Sequence, residues 1–94
     1  MKVQYRERAL ADLEEIYRYL AQRSQTGARN VLRAIYAAVD HISHYPESSE
    51  LTSDLSIRMK VIGRYRYKIF YTVSDDFIDI IHIRHAARKP LADE

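Results

Sequence analysis

Positive side chains alternate with aromatic rings in the run RYRYKIFY at residues 64–71. In a β-strand, alternate residues point to opposite faces, so Arg66 and Lys68 share one face and the tyrosines share the other. A face of arginine and lysine can bind phosphates or carboxylates. The same arrangement is also typical of the solvated side of an antiparallel sheet, so the run by itself favours neither interpretation.

A second group of candidate residues lies near the C-terminus, in HIRHAARKP. It contains His82, Arg84, His85 and Arg88. A histidine beside arginines can act as general acid or base in phosphodiester cleavage, while the arginines hold the phosphate. The two histidines are three residues apart on a predicted strand, so they point to opposite faces and do not share a metal ion. We therefore expect no metal site and no cofactor.

The segments that carry these side chains have the two-residue period of β-strands. Apolar residues occupy the odd positions from 57 to 61 and from 65 to 73, with a turn at Gly63 between the two strands. Burial of the odd positions of both strands is favoured, because the even positions would bury unpaired charges. This parity places four basic residues together on the open face: Arg58, Lys60, Arg66 and Lys68.

A third strand is predicted at residues 77–85, after a turn at residues 74–76. Its apolar residues fall on both parities, since Ile78 and Ile80 are even-numbered whereas Ile81 and Ile83 are odd-numbered. The sequence therefore does not determine which face of this strand packs on the core. A β-bulge, or a second covered face, would account for apolar residues of both parities.

The N-terminal half has the spacing of two amphipathic helices. Apolar residues recur along one helical face between residues 9 and 20 and again between residues 28 and 42, and Pro46 ends the second helix. A short strand around Val3 and Tyr5 precedes them, and residues 46–56 form an exposed loop. We predict one domain over residues 1–94: a two-layer α+β fold of order β-α-α-β-β-β, in which the N-terminal strand and an antiparallel helical hairpin pack on one face of an antiparallel sheet.

Composition limits the function classes. The 94 residues include no cysteine, which excludes disulfide frameworks, thiolate zinc sites and a cysteine nucleophile. Net charge is +2, but residues 57–90 hold eight basic and three acidic side chains, so the positive charge is concentrated in the C-terminal half. Neither a signal peptide nor a membrane span is visible, and we expect a cytoplasmic protein with no membrane partner.

The order of these elements resembles the ParE branch of the RelE/ParE toxin superfamily from bacterial toxin–antitoxin operons. The resemblance covers about residues 3 to 90 and is carried by ALADLEEIYRYLA in the first helix, HYPESSE after the second helix, and the strand region IRMKVIGRYRYKIFYTVSDDFIDIIHIRHAARKP. It implies the β-α-α-β-β-β fold and a cognate antitoxin, small, acidic and partly disordered, that wraps and neutralises the toxin. ParE-like relatives inhibit DNA gyrase by binding, whereas RelE-like relatives are ribosome-dependent endonucleases that cut messenger RNA.

For an endonuclease, the resemblance would place the four basic strand residues around the scissile phosphate, with His82 or His85 as acid or base. RelE-type sequences often end with a functional tyrosine, and RHAARKPLADE contains none. A lysine-rich segment before the hairpin is also missing, and Glu50 is the only obvious replacement base.

We therefore expect a binding toxin directed at DNA gyrase. The alternatives are a toxin that cleaves messenger RNA on the ribosome, and an inactive toxin that retains antitoxin binding. The residues expected to contact a partner are Arg58, Lys60, Arg66, Lys68, Arg84, His85 and Arg88.

Overall fold

Two helices cover one face of a five-stranded sheet. The computed structural model describes residues 1–87 of the chain. Neither helix in that part of the chain is both long and apolar enough to cross a membrane. The predicted α+β class and element order are confirmed, and a two-residue strand is added within the predicted loop. The elements are β1 (Lys2–Tyr5), α1 (Glu7–Ala21), α2 (Gln25–His44), β2 (Glu50–Leu51), β3 (Arg58–Ile62), β4 (Tyr67–Val73) and β5 (Phe77–His85).

Both helices begin two or three residues before the first apolar residue of their patterns. The hydrophobic period does not detect these first turns, because they are polar and exposed. Ser24 precedes α2 in an extended conformation, and its Oγ accepts the N–H of Gly27 at 2.9 Å, which satisfies one of the unpaired donors of the first turn. The second helix ends at His44, two residues before Pro46, as the proline predicts.

The sheet has the strand order β1-β5-β4-β3-β2. The neighbouring strands β2, β3, β4 and β5 pair antiparallel, whereas β1 pairs parallel with β5. The sheet is therefore mixed, because the first strand joins the last one instead of a sequence neighbour. This arrangement places β1 and β2 at the two edges and β4 at the centre.

The core lies between the helices and one face of the sheet, which we call the inner face. Tyr67, Ile69 and Tyr71 of β4 point to this face and are buried. The opposite side of the sheet is called the outer face. The Tyr71 hydroxyl reaches across the core and donates a hydrogen bond to the carbonyl of Pro46 at 2.9 Å, which ties the end of α2 to the central strand. The remaining buried members of the core are Ala9, Leu13, Ile16, Val31, Ile35, Val39, Ile42, Ile78, Ile80 and Ile83.

A β-bulge divides β5 into two segments of opposite parity. Tyr71 pairs with Ile80 whereas Phe70 pairs with His82, so Ile81 is the extra residue. Even-numbered residues of β5 are buried before the bulge, and the odd-numbered Ile83 is buried after it. The bulge therefore answers the question that the sequence left open, since it lets isoleucines of both parities pack on the core.

Candidate functional site on the outer face

Lys68 of β4 and Arg84 of β5 lie directly opposite each other on the outer face, and both are half-buried. Directly opposed residues of an antiparallel pair have Cβ atoms about 4.5–5.5 Å apart. Like charges at this separation destabilise a sheet, and both side chains form strong hydrogen bonds with anionic groups. The pair therefore makes this part of the outer face positively charged.

Phe70 is the next outer-face residue of β4, and three side chains from the neighbouring strands surround its ring. The ring of His82 stacks on it, with a centroid distance of 5.6 Å and an interplanar angle of 18°. The guanidinium carbon of Arg84 lies 5.5 Å from the centroid, within range of a cation–π interaction. Met59 of β3, the strand on the other side of β4 from β5, lies directly opposite Phe70. The centre of the outer face is thus apolar and is bordered by cations.

A chain of polar contacts links α1 to this surface through His82. Its Nδ1 lies 2.8 Å from Oδ2 of Asp12, and the same oxygen accepts the backbone N–H of Ile83 at 2.9 Å. The other ring nitrogen, Nε2, lies 3.4 Å from a guanidinium nitrogen of Arg8. A guanidinium has no acceptor, so Nε2 accepts and the proton of the neutral ring is on Nδ1, donated to Asp12. The first helix therefore sets the orientation of His82.

A groove of about 490 Å³ lies on the outer face, beside Phe70 and His82. Its apolar lining comes from β3, β4, the bulge and the residue before β3: Ile57, Met59, Phe70 and Ile81. Its polar lining includes Arg8, His82 and Arg84 together with the loop residues Thr52, Ser53 and Asp54. The groove therefore offers an apolar surface between basic side chains and a loop that carries a carboxylate.

Asp54 keeps its charge in this groove because Ser56 stabilises the carboxylate. The Ser56 hydroxyl donates to Oδ1 at 2.7 Å and the Ser56 backbone N–H donates at 3.0 Å. These hydrogen bonds, first from the hydroxyl and then from the backbone, lower the pKa of Asp54. The loop end of the groove is consequently negative.

The prediction that Arg58 and Lys60 lie on the open face is wrong. In the observed register Arg58 is opposite Tyr71 and Lys60 is opposite Ile69, and paired residues share a face, so both point to the inner side of the sheet. The reason is the length of the turn. Four residues, 63–66, connect β3 to β4, and an even number of turn residues pairs even positions with odd positions. Met59, expected in the core, faces outward instead.

Arg58 has a structural role in this arrangement. Its Nη1 donates to the carbonyl of Ser49 at 2.7 Å and to that of Glu47 at 3.3 Å. Through Nη1 the guanidinium therefore holds the loop that follows α2.

The other predicted residues are also separated. Arg66 lies in the turn and not in β4, with φ of 62°, and its side chain is exposed. His85 pairs with Tyr67 on the inner side, with its ring edge-on to the tyrosine at 5.0 Å. Arg88 is outside the described residues. Of the predicted residues, the structure therefore brings together Lys68, His82 and Arg84.

Sequence reasoning missed Arg8, Asp12 and Met59 as part of this surface. Arg8 and Asp12 are four residues apart, so they lie on one side of α1, which is a weak signal of joint use. Nothing in the sequence connects Asp12 with His82, because the two are 70 positions apart and meet only through the packing of α1 against the edge of β5. Met59 was missed because of the parity error in β3.

The family model described as "ParE toxin of type II toxin-antitoxin system, parDE" matches residues 3–90. Among similar proteins, "Toxin RelE2" of Caulobacter vibrioides is 37% identical over 81 residues, which cover 86% of this chain and 90% of that protein. "Putative toxin Y4kP" of Sinorhizobium fredii is 32% identical over 88 residues, which cover 94% of this chain and 91% of that protein.

Two solved structures share the fold. A chain of the chromosomal ParDE toxin–antitoxin system from P. aeruginosa superposes with a TM-score of 0.78 at 19% identity, covering 90% of this chain and 95% of that chain. The isolated E. coli RelE toxin superposes with a TM-score of 0.63 at 16% identity, covering 94% of this chain and 86% of that chain.

Proposed function

The chain belongs to the ParE toxin family of type II toxin–antitoxin systems, and on this basis we propose that it acts by binding and inhibiting DNA gyrase. Membership of the family implies a cognate antitoxin as partner. Gyrase is the proposed target because ParE-like toxins inhibit gyrase and the ParE family model covers nearly the whole chain. Inhibition by binding requires a complementary surface and no catalytic set.

The separation of the candidate catalytic residues supports a binding toxin. An endonuclease needs its cations and its acid–base group around one phosphate. Here Arg58 and Lys60 point to the inner side of the sheet, and Arg66 lies in a turn. No single phosphate position would meet the whole predicted set, whereas a partner protein can contact a surface over a much larger area.

A supercoiling assay with purified components tests the proposal. We expect the refolded toxin to prevent gyrase from supercoiling a relaxed plasmid, and the antitoxin encoded beside the toxin gene to restore the activity. Intact supercoiling at a concentration of toxin that stops growth on induction would contradict it. Absence of any growth defect on induction, together with measured binding to the antitoxin, would identify an inactive toxin that retains antitoxin binding.

One observation favours messenger RNA cleavage as the second candidate function. His82 is held by Asp12 at 2.8 Å on the face that carries Lys68 and Arg84, so an oriented imidazole and two cations share one surface. This is the arrangement that general acid–base cleavage of a phosphodiester uses. The similar protein named "Toxin RelE2" is consistent with this candidate.

The two histidines of β5 provide a matched test of this candidate in a translating extract. Cleavage by His82 predicts that His82→Asn abolishes the cutting of messenger RNA, while His85→Asn, on the inner side, leaves it unchanged. Intact messenger RNA in the presence of the unmodified toxin removes the endonuclease from consideration. The same extract reports whether translation fails, for comparison with the supercoiling assay.

A further inference from the structure

We propose that one end of the molecule binds the phosphate backbone of double-stranded DNA. This basic end consists of the junction between α1 and α2, the turn between β3 and β4, and the last residues of β5. The side chains that contact the phosphates are four exposed arginines: Arg23, Arg29, Arg64 and Arg66. This activity is additional to the proposed inhibition of gyrase and does not depend on it.

Four parts of the chain meet at the basic end around one groove of about 530 Å³. Its lining includes the end of α1, the first half of α2, the turn between β3 and β4 and the end of β5, through Tyr19, Leu20, Val31, Tyr65 and His85. The turn is also joined to the end of β5, because the backbone N–H of Ala86 donates to the carbonyl of Arg66. Arginines that are far apart in the sequence therefore lie at the same end of the molecule.

Acidic and basic residues are separated along the molecule. Residues 16–39, 55–74 and 80–87, which include the whole basic end, contain no aspartate or glutamate. The loop after α2 and the turn between β4 and β5 carry five acidic residues at the opposite end: Glu47, Glu50, Asp54, Asp75 and Asp76.

This separation is large enough for the two ends to act independently. The seven residues of β4 place its two ends about 20 Å apart, whereas the Debye length at physiological salt is about 8 Å. A phosphate near the basic end is therefore screened from the acidic end. The formal net charge of +2 does not describe the field that this phosphate meets.

The four arginines are accessible to an anion. Within residues 1–87, none of them forms an ion pair with an aspartate or a glutamate. The nearest carboxylates along α1 are those of Glu14, which pairs with Arg18, and Glu15, which lines the groove. Phosphate oxygens are acceptors for which the arginine side chain has matching donors.

Two of the arginines are held over tyrosine rings that line the groove. The guanidinium carbon of Arg23 lies 5.1 Å from the centroid of the Tyr19 ring. That of Arg64 lies 5.4 Å from the centroid of the Tyr65 ring, and both distances are within the range of a cation–π interaction. A side chain that is already held loses less conformational freedom when it binds a ligand. The two pairs therefore prepare one cation on α1 and one on the turn for contact with phosphates.

The backbone of the turn gives separate support. Arg66 has a φ of 62°, a conformation that glycine adopts more easily than a residue with a Cβ atom. Strained residues of this kind are concentrated at functional sites. The Arg66 side chain is exposed and forms no hydrogen bond or ion pair within residues 1–87, so packing does not explain an arginine here. Binding of an anion does.

Double-stranded DNA matches this surface better than other anionic chains. A duplex has one negative charge per about 1.7 Å, whereas an extended acidic peptide has at most one per about 3.3 Å. Cations from α1, α2 and the turn can therefore contact phosphates of one duplex together. Proteins that bind single strands use aromatic rings as platforms for bases. The rings of Tyr19 and Tyr65 already carry arginines, which favours contact with the backbone of a duplex.

The test is the affinity of the purified toxin for a short fluorescent DNA duplex, measured by fluorescence anisotropy at low salt. The test variant carries Arg23→Gln and Arg64→Gln. The matched control carries Lys2→Gln and Arg6→Gln, which remove the same charge from exposed residues of β1 and its end. We expect the dissociation constant to increase at least about tenfold in the test variant and less than about threefold in the control. Thermal unfolding of both variants establishes that they are folded.

The dependence on salt separates loss of phosphate contacts from a change in shape. Each phosphate contact contributes about 0.9 to the slope of log K against log salt concentration, so the test variant should have a slope smaller by about 1.8. A variant with Arg23→Lys and Arg64→Lys keeps the charge and should keep most of the slope. Equal slopes for the glutamine variant and the unmodified toxin would contradict the proposal.

Other outcomes would also overturn it. These are no measurable binding of the unmodified toxin to the duplex, an equal loss in the control, or tighter binding to single-stranded RNA of the same length. Loss of antitoxin binding in the test variant with unchanged affinity for the duplex would assign the arginines to the antitoxin instead. Because the duplex is titrated without gyrase, failure here is distinct from failure of the proposed function.

Discussion

The carboxylate of Asp12 on α1 accepts the backbone N–H of Ile83 on β5 at 2.9 Å. The first strand pairs with residues 77–80 of β5, and within residues 1–87 no further strand lies beside the edge at Ile83. An uncovered edge amide is a template for pairing with another chain. The contact from Asp12 therefore closes the sheet at the place where β1 ends.

Replacing Asp12 by alanine should leave the Ile83 amide and the His82 ring without this acceptor. We expect the free energy of unfolding to decrease by about 1–3 kcal/mol, because both donors are partly buried. Urea denaturation measures the loss, and hydrogen exchange at the Ile83 amide should accelerate. The exposed Asp76→Ala is the control and should change stability by less than about 0.5 kcal/mol. Equal effects of the two substitutions would show that water replaces the carboxylate.

Removing the hydroxyl of Tyr71 tests the link between α2 and the central strand. The Tyr71→Phe variant keeps the buried ring but loses the hydrogen bond to the Pro46 carbonyl. We expect the free energy of unfolding to decrease by about 1 kcal/mol and cleavage in the loop at residues 46–56 to become faster in limited proteolysis. Tyr45→Phe is the control, because Tyr45 is 61% exposed, and this variant should behave as the unmodified protein. Unchanged proteolysis in Tyr71→Phe would exclude this role.

Arg66 has a φ of 62°, a conformation that costs about 1–2 kcal/mol for a residue with a Cβ atom. Glycine adopts it without this penalty, although it loses more entropy on folding. Arg66→Gly should therefore leave stability unchanged or raise it by up to about 1 kcal/mol, measured by urea denaturation. Arg64→Gly in the same turn, where φ is negative, should lower stability. The reverse ranking would mean that the Arg66 side chain has a structural role.

High pH should destabilise the protein through Tyr5. Burial, and next the neighbouring Tyr36, raise the pKa of Tyr5 above its ordinary value of 10.0. The unfolded chain then loses the proton first, so this contribution to stability is complete below pH 10.0 and is lost as the pH rises through the folded-state pKa.

The measurement is the free energy of unfolding as a function of pH. Above pH 10.0 the unmodified protein should lose stability more steeply than Tyr5→Phe, which has no group to titrate at this position. Tyr19→Phe is the control, because Tyr19 is 53% exposed, and it should follow the unmodified protein. Parallel curves for the unmodified protein and Tyr5→Phe would contradict the prediction.

The helices and the element order could be predicted because the core is built from regular side-chain repeats. The apolar stripe of α2 continues over about four turns, and β4 keeps one parity from Tyr67 to Val73. A repeat of this length defines both the type of element and the face that packs, since a shift by one residue in a strand would bury the charged side chains.

The faces of β3 and β5 could not be predicted, because two local features change the parity. The four-residue turn reverses β3 relative to the predicted register, and it requires the left-handed conformation of Arg66, for which glycine is the usual signal. The bulge at Ile81 reverses β5 partway along its length. The candidate surface combines residues from both strands with two from α1, so its composition follows from tertiary packing and not from any local pattern.

The parallel pairing of β1 with β5, from Lys2 opposite Phe77 to Tyr5 opposite Ile80, has a consequence for synthesis on the ribosome. The first strand leaves the exit tunnel long before its partner β5 has been translated. Until β5 follows, the inner face of the sheet is incomplete and its apolar side chains are exposed. A nascent chain interrupted before β5 lacks three buried isoleucines and one side of the outer-face surface. Completion of the core and of the outer-face surface therefore requires that β5 has been translated.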